Sequence, residues 1–224
     1  ALAQAELNIV VHDELGLAAA KYIEQRCGTP CIAPLPPYGR AGTRRWLEAA
    51  FAALPPAHGE AAMAEIEEAE RRDFLRINDL KNTWGELRFD TALIRAPRSS
   101  AWGLAEALRT EWADVRHLAV AAQVRDDAAA VQIVDEQLTE TDTVRAQELL
   151  AAMEHGLLMA SSSESVLADP GRMLYVPVSY PVVDRLHISD QPFMGLRGAR
   201  HIEDMLWNGS VLRRELSVRA GIHG

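Results

Sequence analysis

The sequence predicts an α/β protein in which helices flank a mostly parallel sheet. Short apolar segments typical of buried strands alternate along the chain with amphipathic segments of helical periodicity. The clearest unit spans residues 90–122: an apolar segment ends at Arg95, a Pro-Arg-Ser-Ser turn follows, a helix places Trp102 and Trp112 on one face, and a second apolar segment covers His117–Ala122. A strand, a helix and a second strand in this order form a βαβ unit, and such units build parallel sheets.

The first part of the chain contains two such strands and two helices. We predict strands at Leu7–Val11 and Cys31–Ala33, and helices at Glu14–Arg26, closed by Gly28, and Thr43–Leu54. The double proline Pro55-Pro56 is the clearest boundary in the chain. Residues 1–57 hold too little sheet for a complete doubly wound domain, so we predict that they form the back half of a Rossmann-like domain.

Residues 58–224 are predicted to form a Rossmann-like domain that ends in a long helix. Before the βαβ unit we predict a charged helix at Glu60–Leu87, with an apolar stripe at Met63, Ile66, Phe74, Ile77 and Leu80. After it we predict strands at Ala130–Val134, Gly156–Ala160 and Leu174–Val178. We also predict a helix at Asp142–Glu154, capped by Thr141, and a last helix at Arg197–Val218. This part therefore contributes at least four strands to the sheet.

Composition excludes several classes of protein. The chain has 224 residues, 48% of them hydrophobic, and a formal net charge of −9, which disfavours binding to nucleic acid or to an anionic membrane. No segment approaches the roughly 18 apolar residues of a membrane span, and the first residues lack the pattern of a signal peptide, so we expect a cytoplasmic protein. Cys27 and Cys31 are too few for a complete zinc or iron–sulfur site, and we expect them to pack as small hydrophobic residues.

The turn after the first strand of the βαβ unit is the first candidate site. Ligands of parallel α/β sheets bind at the carboxyl ends of the strands, where Arg95, Arg98, Ser99 and Ser100 are expected. A guanidinium group at this place could hold an anionic substrate or a cofactor carboxylate in a bidentate manner. The alternative is that both arginines are merely solvated.

Further candidates follow other strands. Ser161 and Ser162 come directly after a predicted strand and could bind a ligand, although capping of the next helix is the favoured role. Tyr38 and Arg40 stand at a strand-to-helix turn and could face a cleft between domains. His187 follows Asp184 and Arg185, and the aspartate could fix its tautomer for proton transfer. The favoured role is structural, with Asp184 and Arg185 as a buried or interface pair that holds the segment. None of these positions predicts a metal site.

Three stretches of the chain together resemble a known family. They are residues 36–47 (PPYGRAGTRRWL), residues 95–104 (RAPRSSAWGL), and residues 156–163 (GLLMASSS) with 176–187 (VPVSYPVVDRLH) and 195–199 (GLRGA). Their order and spacing are similar to those of the nitrogenase component 1 family, which includes the dark-operative protochlorophyllide and chlorophyllide reductases. The last stretch resembles the β-type subunits, and the likeness covers only their carboxy-terminal half.

The resemblance implies a subunit of an ATP-dependent multi-electron reductase. In that family a paired component 1-type subunit completes the site, and a separate P-loop iron–sulfur protein delivers electrons and hydrolyses ATP. The chain contains no Gly-x-x-x-x-Gly-Lys-Ser/Thr motif, and the family's cluster-binding cysteines belong to a part that this sequence does not cover. Phe193-Met194 stands where α-type subunits carry a histidine ligand, so we expect no metallocofactor or cluster bound by this chain alone. The alternatives are a non-catalytic scaffold that binds a metallocofactor or tetrapyrrole, and an unrelated α/β ligand-binding domain.

Overall fold

The computed structural model of the chain describes residues 5–54, 59–122, 133–186 and 190–222. The strands are β1 Asn8–Ile9, β2 Cys31–Ile32, β3 Arg88–Arg95, β4 Asp114–Ala121, β5 Glu136–Leu138, β6 Gly156–Ala160 and β7 Met173–Pro177. The helices are α1 Asp13–Cys27, α2 Gly39–Ala52, α3 Glu60–Trp84, α4 Arg98–Ala107, continued by a π-helical turn over Leu108–Trp112, α5 Thr143–Ala152, α6 Ser162–Ser165 and α7 Gly195–Ile222. Strands and helices largely alternate, as the sequence predicts, with α3 following α2 directly.

The larger sheet has five parallel strands in the order β5-β4-β3-β6-β7. The chain therefore builds the sheet outward from β3 in one direction, through β4 to β5, and then returns to the other side of β3 with β6 and β7. The gap between the carboxyl ends of β3 and β6 is the point where the direction reverses, and a crevice for a ligand forms at such a switch point. The predicted α/β class is confirmed.

Side chains of the central strands alternate between two hydrophobic cores, one on each face of the sheet. Ile94 of β3 and Met159 of β6 pack on one face with α4 and α7, whereas Leu93 and Leu158 pack on the other face with α5. All four side chains are buried because helices cover both faces. Burial on both faces explains why these strands are continuous apolar segments in the sequence.

A second, two-stranded parallel sheet pairs Asn8 of β1 with Cys31 of β2 and Ile9 with Ile32. Helix α2, which follows β2, joins this part to the larger core, since the ring of Tyr38 lies over Gly103 of α4. A Cβ atom at Gly103 would stand 2.8 Å from that ring, so the close contact between α2 and α4 requires glycine there.

Several sequence predictions need correction. Helix α2 begins at Gly39, four residues before the expected Thr43. The helix expected at Asp142 has Asp142 itself as its N-cap residue instead of Thr141. The carboxylate of Asp142 accepts hydrogen bonds from the backbone N–H and the hydroxyl of Thr139, both at 2.8 Å, so the turn before the helix is held by a contact within the turn.

One further prediction fails for a reason of packing, and another lies mostly outside the described residues. Phe74 is 67% exposed, because the inward face of α3 carries Ile66, Ala69 and the buried Asp73, and Phe74 lies about 100° further round the helix. Of the strand expected at Ala130–Val134, residues 130–132 lie outside the described residues, and Val134 belongs to no strand. The next strand, β5, begins at Glu136 and is too short and polar for a periodicity argument to find.

Gly28 ends α1 as predicted, with a positive φ of 76° and its N–H donating to the carbonyl of Glu24. Replacing Gly28 with Ala is expected to lower the free energy of unfolding by about 1 kcal/mol, because a left-handed conformation penalises a Cβ atom. No atom lies within 4 Å of where that Cβ would be, so the cost comes from the backbone alone. Urea denaturation checks this; Gly28→Asn should lose less, and equal losses would contradict the explanation.

Among the helices of the described residues, none combines the length and the apolar character needed to cross a membrane.

Candidate functional site

The switch point between β3 and β6 is lined by the turns that follow these two strands. Arg95 ends β3, and its Nε lies 3.6 Å from Oε1 of Glu164 in α6, which follows β6. A second nitrogen, Nη2, donates to the carbonyl of Glu140 at 3.3 Å. Arg95 therefore lies across the crevice that topology predicts, and its side chain stays 28% exposed.

Ser161 caps α6 by a capping box, which confirms the favoured role of this serine. Its hydroxyl accepts from the N–H of Ser163 at 3.2 Å, and the carboxylate of Glu164 accepts from the N–H of Ser161 at 3.1 Å. Ser162 holds the segment after β7: its hydroxyl donates to Asp184 and accepts from the N–H of Val183 at 2.9 Å. The two serines thus hold the rim of the crevice together.

Replacing Ser161 with Ala is expected to lower the free energy of unfolding by about 1 kcal/mol, the usual cost of losing an N-cap hydroxyl. The exposed Ser163 is the matched control, because no described contact uses its side chain and only its backbone takes part in the box. Thermal or urea denaturation of both alanine variants checks the expectation. A loss at Ser163 equal to that at Ser161 would show that the hydroxyl is not what matters.

Arg98 and Ser99, in the first turn of α4, contact the residues that follow β1. Arg98 forms an ion pair with Asp13. The hydroxyl of Ser99 lies 2.9 Å from Nδ1 of His12 and donates to Oε1 of Glu14 at 3.0 Å. The carboxyl end of β1 therefore meets the carboxyl end of β3.

These contacts set the protonation of one carboxylate. Partial burial acts to raise the pKa of Asp13, but hydrogen bonding with Glu14 and the positive charge of Arg98 outweigh it, so the pKa lies below its ordinary value. Asp13 is thus an anion at neutral pH and pairs with the guanidinium of Arg98.

Tyr38 and Ser100 are both buried where the start of α2 meets α4. Burial raises the pKa of Tyr38; a hydrogen bond with Ser100 opposes this rise, and the charge of Glu14 adds to it. The tyrosine stays a neutral phenol. It links the segment after β2 to the turn after β3.

Arg40 is largely buried, and the cleft that it lines is a small one of about 120 Å³ between α2, α3 and α7. Its nitrogens donate to Asp73 at 3.4 Å, to Glu111 at 3.2 Å and to Glu203 at 2.8 Å, so they are engaged within the chain. Only 11% of the side chain is exposed. Arg40 therefore ties α2 to α3, α4 and α7.

The remaining candidates give little support for a site. His187 lies outside the described residues. Asp184 and Arg185 are both exposed, so they do not form a buried pair, and their pairing at an interface stays a prediction. Cys27 is exposed, so it is not packed as expected. The thiol of the half-buried Cys31 donates a hydrogen bond to Glu24 at 3.5 Å. No group of three or more His, Cys, Asp or Glu side chains in the described ranges is arranged to hold a metal ion.

The sequence analysis missed His12, Asp13 and Glu14 as part of the site. A signal for them was present, since three polar residues follow directly on a predicted strand. Their partners, Arg98 and Ser99, lie 85 to 87 residues away in the chain, and no local pattern predicts which strand ends meet.

A five-stranded parallel sheet with helices on both faces and polar turns at its switch point defines an α/β protein of the doubly wound class. Within that class, the chain belongs to the nitrogenase component 1 type oxidoreductases, because the model of that family matches residues 1–209. The resemblance found in the sequence is thereby confirmed.

Relatives and a solved structure agree with this assignment. The chain is 25% identical over 233 residues to a subunit of the light-independent protochlorophyllide reductase of Gloeobacter violaceus, covering 93% of this chain and 42% of that protein. It is 24% identical to the same subunit from Nostoc punctiforme, covering 96% and 43%. The structure titled "Nitrogenase Cp1 at pH 6.5" shares the fold, with a TM-score of 0.78 at 15% identity over 95% of this chain and 47% of that chain. The chain thus spans less than half the length of these proteins.

Proposed function

We propose that this chain is part of a subunit of an ATP-dependent, multi-electron reductase complex of the component 1 type, in which it supplies one wall of the active-site cleft and a surface for a paired subunit. Membership of the family and the naming of the relatives as reductase subunits support this proposal. The observation that carries it is the meeting of strand ends: the segments that follow β1, β2 and β3 touch one another beside the switch point.

In this proposal Arg95 and Arg98 bind an anionic group of the substrate or cofactor. Both guanidinium groups now pair with carboxylates of the chain itself, Glu164 and Asp13, and both remain more than a quarter exposed. Partly exposed pairs at a surface contribute only about 0–1 kcal/mol, so a ligand carboxylate can replace them at little cost. Ser99, Ser100, Ser161 and Ser162 shape the rim, with Tyr38 behind it, and His187 stays a predicted contact.

The metal chemistry of the complex is assigned to the other polypeptides. The cysteines of this chain lie at the end of α1 and the start of β2, away from the carboxyl ends of the strands, so its donors do not fit a cluster held in the cleft. We therefore place the iron–sulfur cluster in the full complex and ATP on a P-loop iron–sulfur partner. Residues 1–57 then act as the back half of one Rossmann-like domain and residues 58–224 as the next, in a cytoplasmic assembly.

Co-expression tests the proposal. The tagged chain is produced with a component 1-type partner subunit and a P-loop iron–sulfur protein, and the complex is isolated. We expect the partner to co-purify. We also expect ATP to trigger transfer of electrons from the reduced P-loop protein to the iron–sulfur cluster of the full complex, seen as a change in the absorbance of the P-loop protein on its oxidation. Replacing Arg95 and Arg98 together with alanine should leave the complex intact and slow that oxidation at least tenfold.

Arg88→Ala is the matched control, because Arg88 stands at the amino end of the same strand and is largely exposed. It should leave the rate unchanged. Absence of a complex, or ATP-independent oxidation, would overturn the proposal. A complex that retains a metallocofactor or tetrapyrrole through gel filtration without oxidising the P-loop protein would instead identify a scaffold.

A further inference from the structure

A groove of about 580 Å³ lies between β1 and α1 on the surface of the small sheet. Its described lining comes from residues 5–23 and includes no Asp, Glu, Lys or Arg side chain. Most of the lining side chains are aliphatic, and the proposed function assigns no role to this groove. An open surface of this size and composition is typical of a place where another polypeptide binds.

Helix α1 exposes most of its apolar side chains. Of its 15 residues, all of which the structure describes, Ala20 alone is buried. The helix packs on β1 through Gly16, where a Cβ atom would stand 3.1 Å from Val10. Leu15 lies about 100° round the helix from Gly16 and is 81% exposed, and Tyr22, on the same side as Leu15, is 60% exposed. The apolar face of α1 is therefore wider than the two strands that it covers.

Backbone groups of β1 also face this open side. The N–H groups of Asn8 and Val10 donate to carbonyls of β2 and its flank, both at 2.9 Å. Because the direction of hydrogen bonding alternates along a strand, the N–H and C=O groups of Leu7 and Ile9 point away from β2, where the described small sheet has no further strand. Side-chain Nδ2 of Asn8 is buried and has no hydrogen-bond partner within the described part of the chain.

The free edge of β1 lacks the features that protect a sheet edge from pairing. Natural edge strands carry charged side chains or proline. Strand β2 stands between Pro30 and Pro34, and β5, at one edge of the larger sheet, carries Glu136. Residues 7–11 contain neither a charge nor a proline. The edge of β1, rather than that of β2, is therefore the one suited to accept another strand.

We propose that the free edge of β1 and the groove beside it bind a strand from the part of a component 1-type polypeptide that this sequence does not cover. The strand adds parallel to β1, and its apolar side chains fill the groove against Leu15. This inference rests on the proposed function, in which residues 1–57 are the back half of a Rossmann-like domain, and it names what completes that half.

Two observations favour this occupant over a second copy of the chain. More than half of each relative lies outside the match, since the chain covers 42% and 43% of the reductase subunits and 47% of the nitrogenase chain. A second copy related by a two-fold axis would pair β1 with β1 in antiparallel fashion, whereas all described strand pairs of this chain are parallel. Two strands alone also make only a marginally stable sheet.

Binding of a separate polypeptide tests the proposal. The probes are the parts of the Gloeobacter and Nostoc reductase subunits that precede the matched region, each titrated into the full chain in a calorimeter. Neither ATP nor the P-loop protein is present, so the outcome is independent of electron transfer. We expect a one-to-one complex with at least one probe, and Leu15→Lys should weaken it at least tenfold because it places a charge in the groove.

Leu75→Lys is the matched control for this experiment. Leu75 is 59% exposed on α3, outside the groove, and the chemical change is the same. Its affinity for the probe should equal that of the wild type. Absence of a complex with both probes, or equal weakening by the two lysine variants, would overturn the proposal. A dimer of the chain alone that Leu15→Lys abolishes would overturn it as well, because a second copy would then fill the groove.

Hydrogen exchange tests the addition of a strand. The amides of Leu7 and Ile9 should exchange at least tenfold more slowly in the complex than in the chain alone, because they gain backbone acceptors. The amides of Asn8 and Val10 already donate to β2 and should change much less. Equal slowing of all four amides would overturn the proposal, since the probe would then cover β1 without pairing with it.

Discussion

Replacing Arg40 with methionine is expected to lower the free energy of unfolding by about 3–5 kcal/mol, the usual cost of removing one partner from a buried ion pair. Methionine keeps most of the volume of the side chain but removes the ion-pair partner of Glu111 and Glu203, and among the described ion pairs Asp73 then keeps the one with Arg200. Since Asp73 and Glu203 are buried, water compensates poorly for the lost guanidinium. Urea denaturation of the purified chain, followed by circular dichroism, measures the loss.

Arg45→Met is the matched control for this prediction. Arg45 lies on the same helix and forms an ion pair with Glu106, but its side chain is 41% exposed. Exposed pairs contribute about 0–1 kcal/mol, so this variant should remain close to wild type. If the two methionine variants lose the same stability, the ion pairs of Arg40 do not tie α2 to α3, α4 and α7.

The same contrast between buried and exposed pairs bears on function. Arg40 is held by three carboxylates in the interior, whereas Arg95 and Arg98 each pair with one carboxylate at a partly open surface. In the proposed function an anionic ligand displaces Glu164 or Asp13, whereas Arg40 is only 11% exposed. The sequence shows all three arginines beside turns after strands, and only the structure separates the two partly exposed ones from the one that is held by three carboxylates.

Most of the sheet could be predicted from the sequence because its central strands are buried on both faces. Leu93 and Leu158 lie in continuous apolar segments, and each segment is followed by a turn and a helix, so the βαβ order favours parallel pairing. Strand β5 was not predicted, because an edge strand of three residues has no such continuous apolar segment. Its polar residues, Glu136 and Gln137, are tolerated because β5 is the edge strand of the described sheet.

The candidate site was predictable only in part, for a related reason. Arg95 and Ser161 each follow a strand, and the rule that parallel strands end at the same edge brings them together. The contact of Ser99 with His12 and Glu14 depends instead on how the small sheet sits against the large one, which no periodicity encodes. The family match shows to which family the chain belongs. The nitrogenase structure, at 15% identity, shows the fold but assigns no role to any of these residues.

Replacing Trp102 with alanine is expected to lower the free energy of unfolding by about 3–5 kcal/mol, the range measured when large aromatic side chains are removed from cores. Trp102 is 2% exposed and stands in α4, where its indole fills the core between the large sheet and the helices that cover it. The cavity would lie close to Ser99 and Ser100 in the same helix, so the variant should also weaken the contacts at the strand-end crevice.

Trp84→Ala is the matched control, because Trp84 is 46% exposed and its replacement should lower the free energy of unfolding by no more than about 1 kcal/mol. Guanidinium denaturation of both variants compares the two sites with the same chemical change, and similar losses would contradict the placement of Trp102 in the core and of Trp84 at the surface.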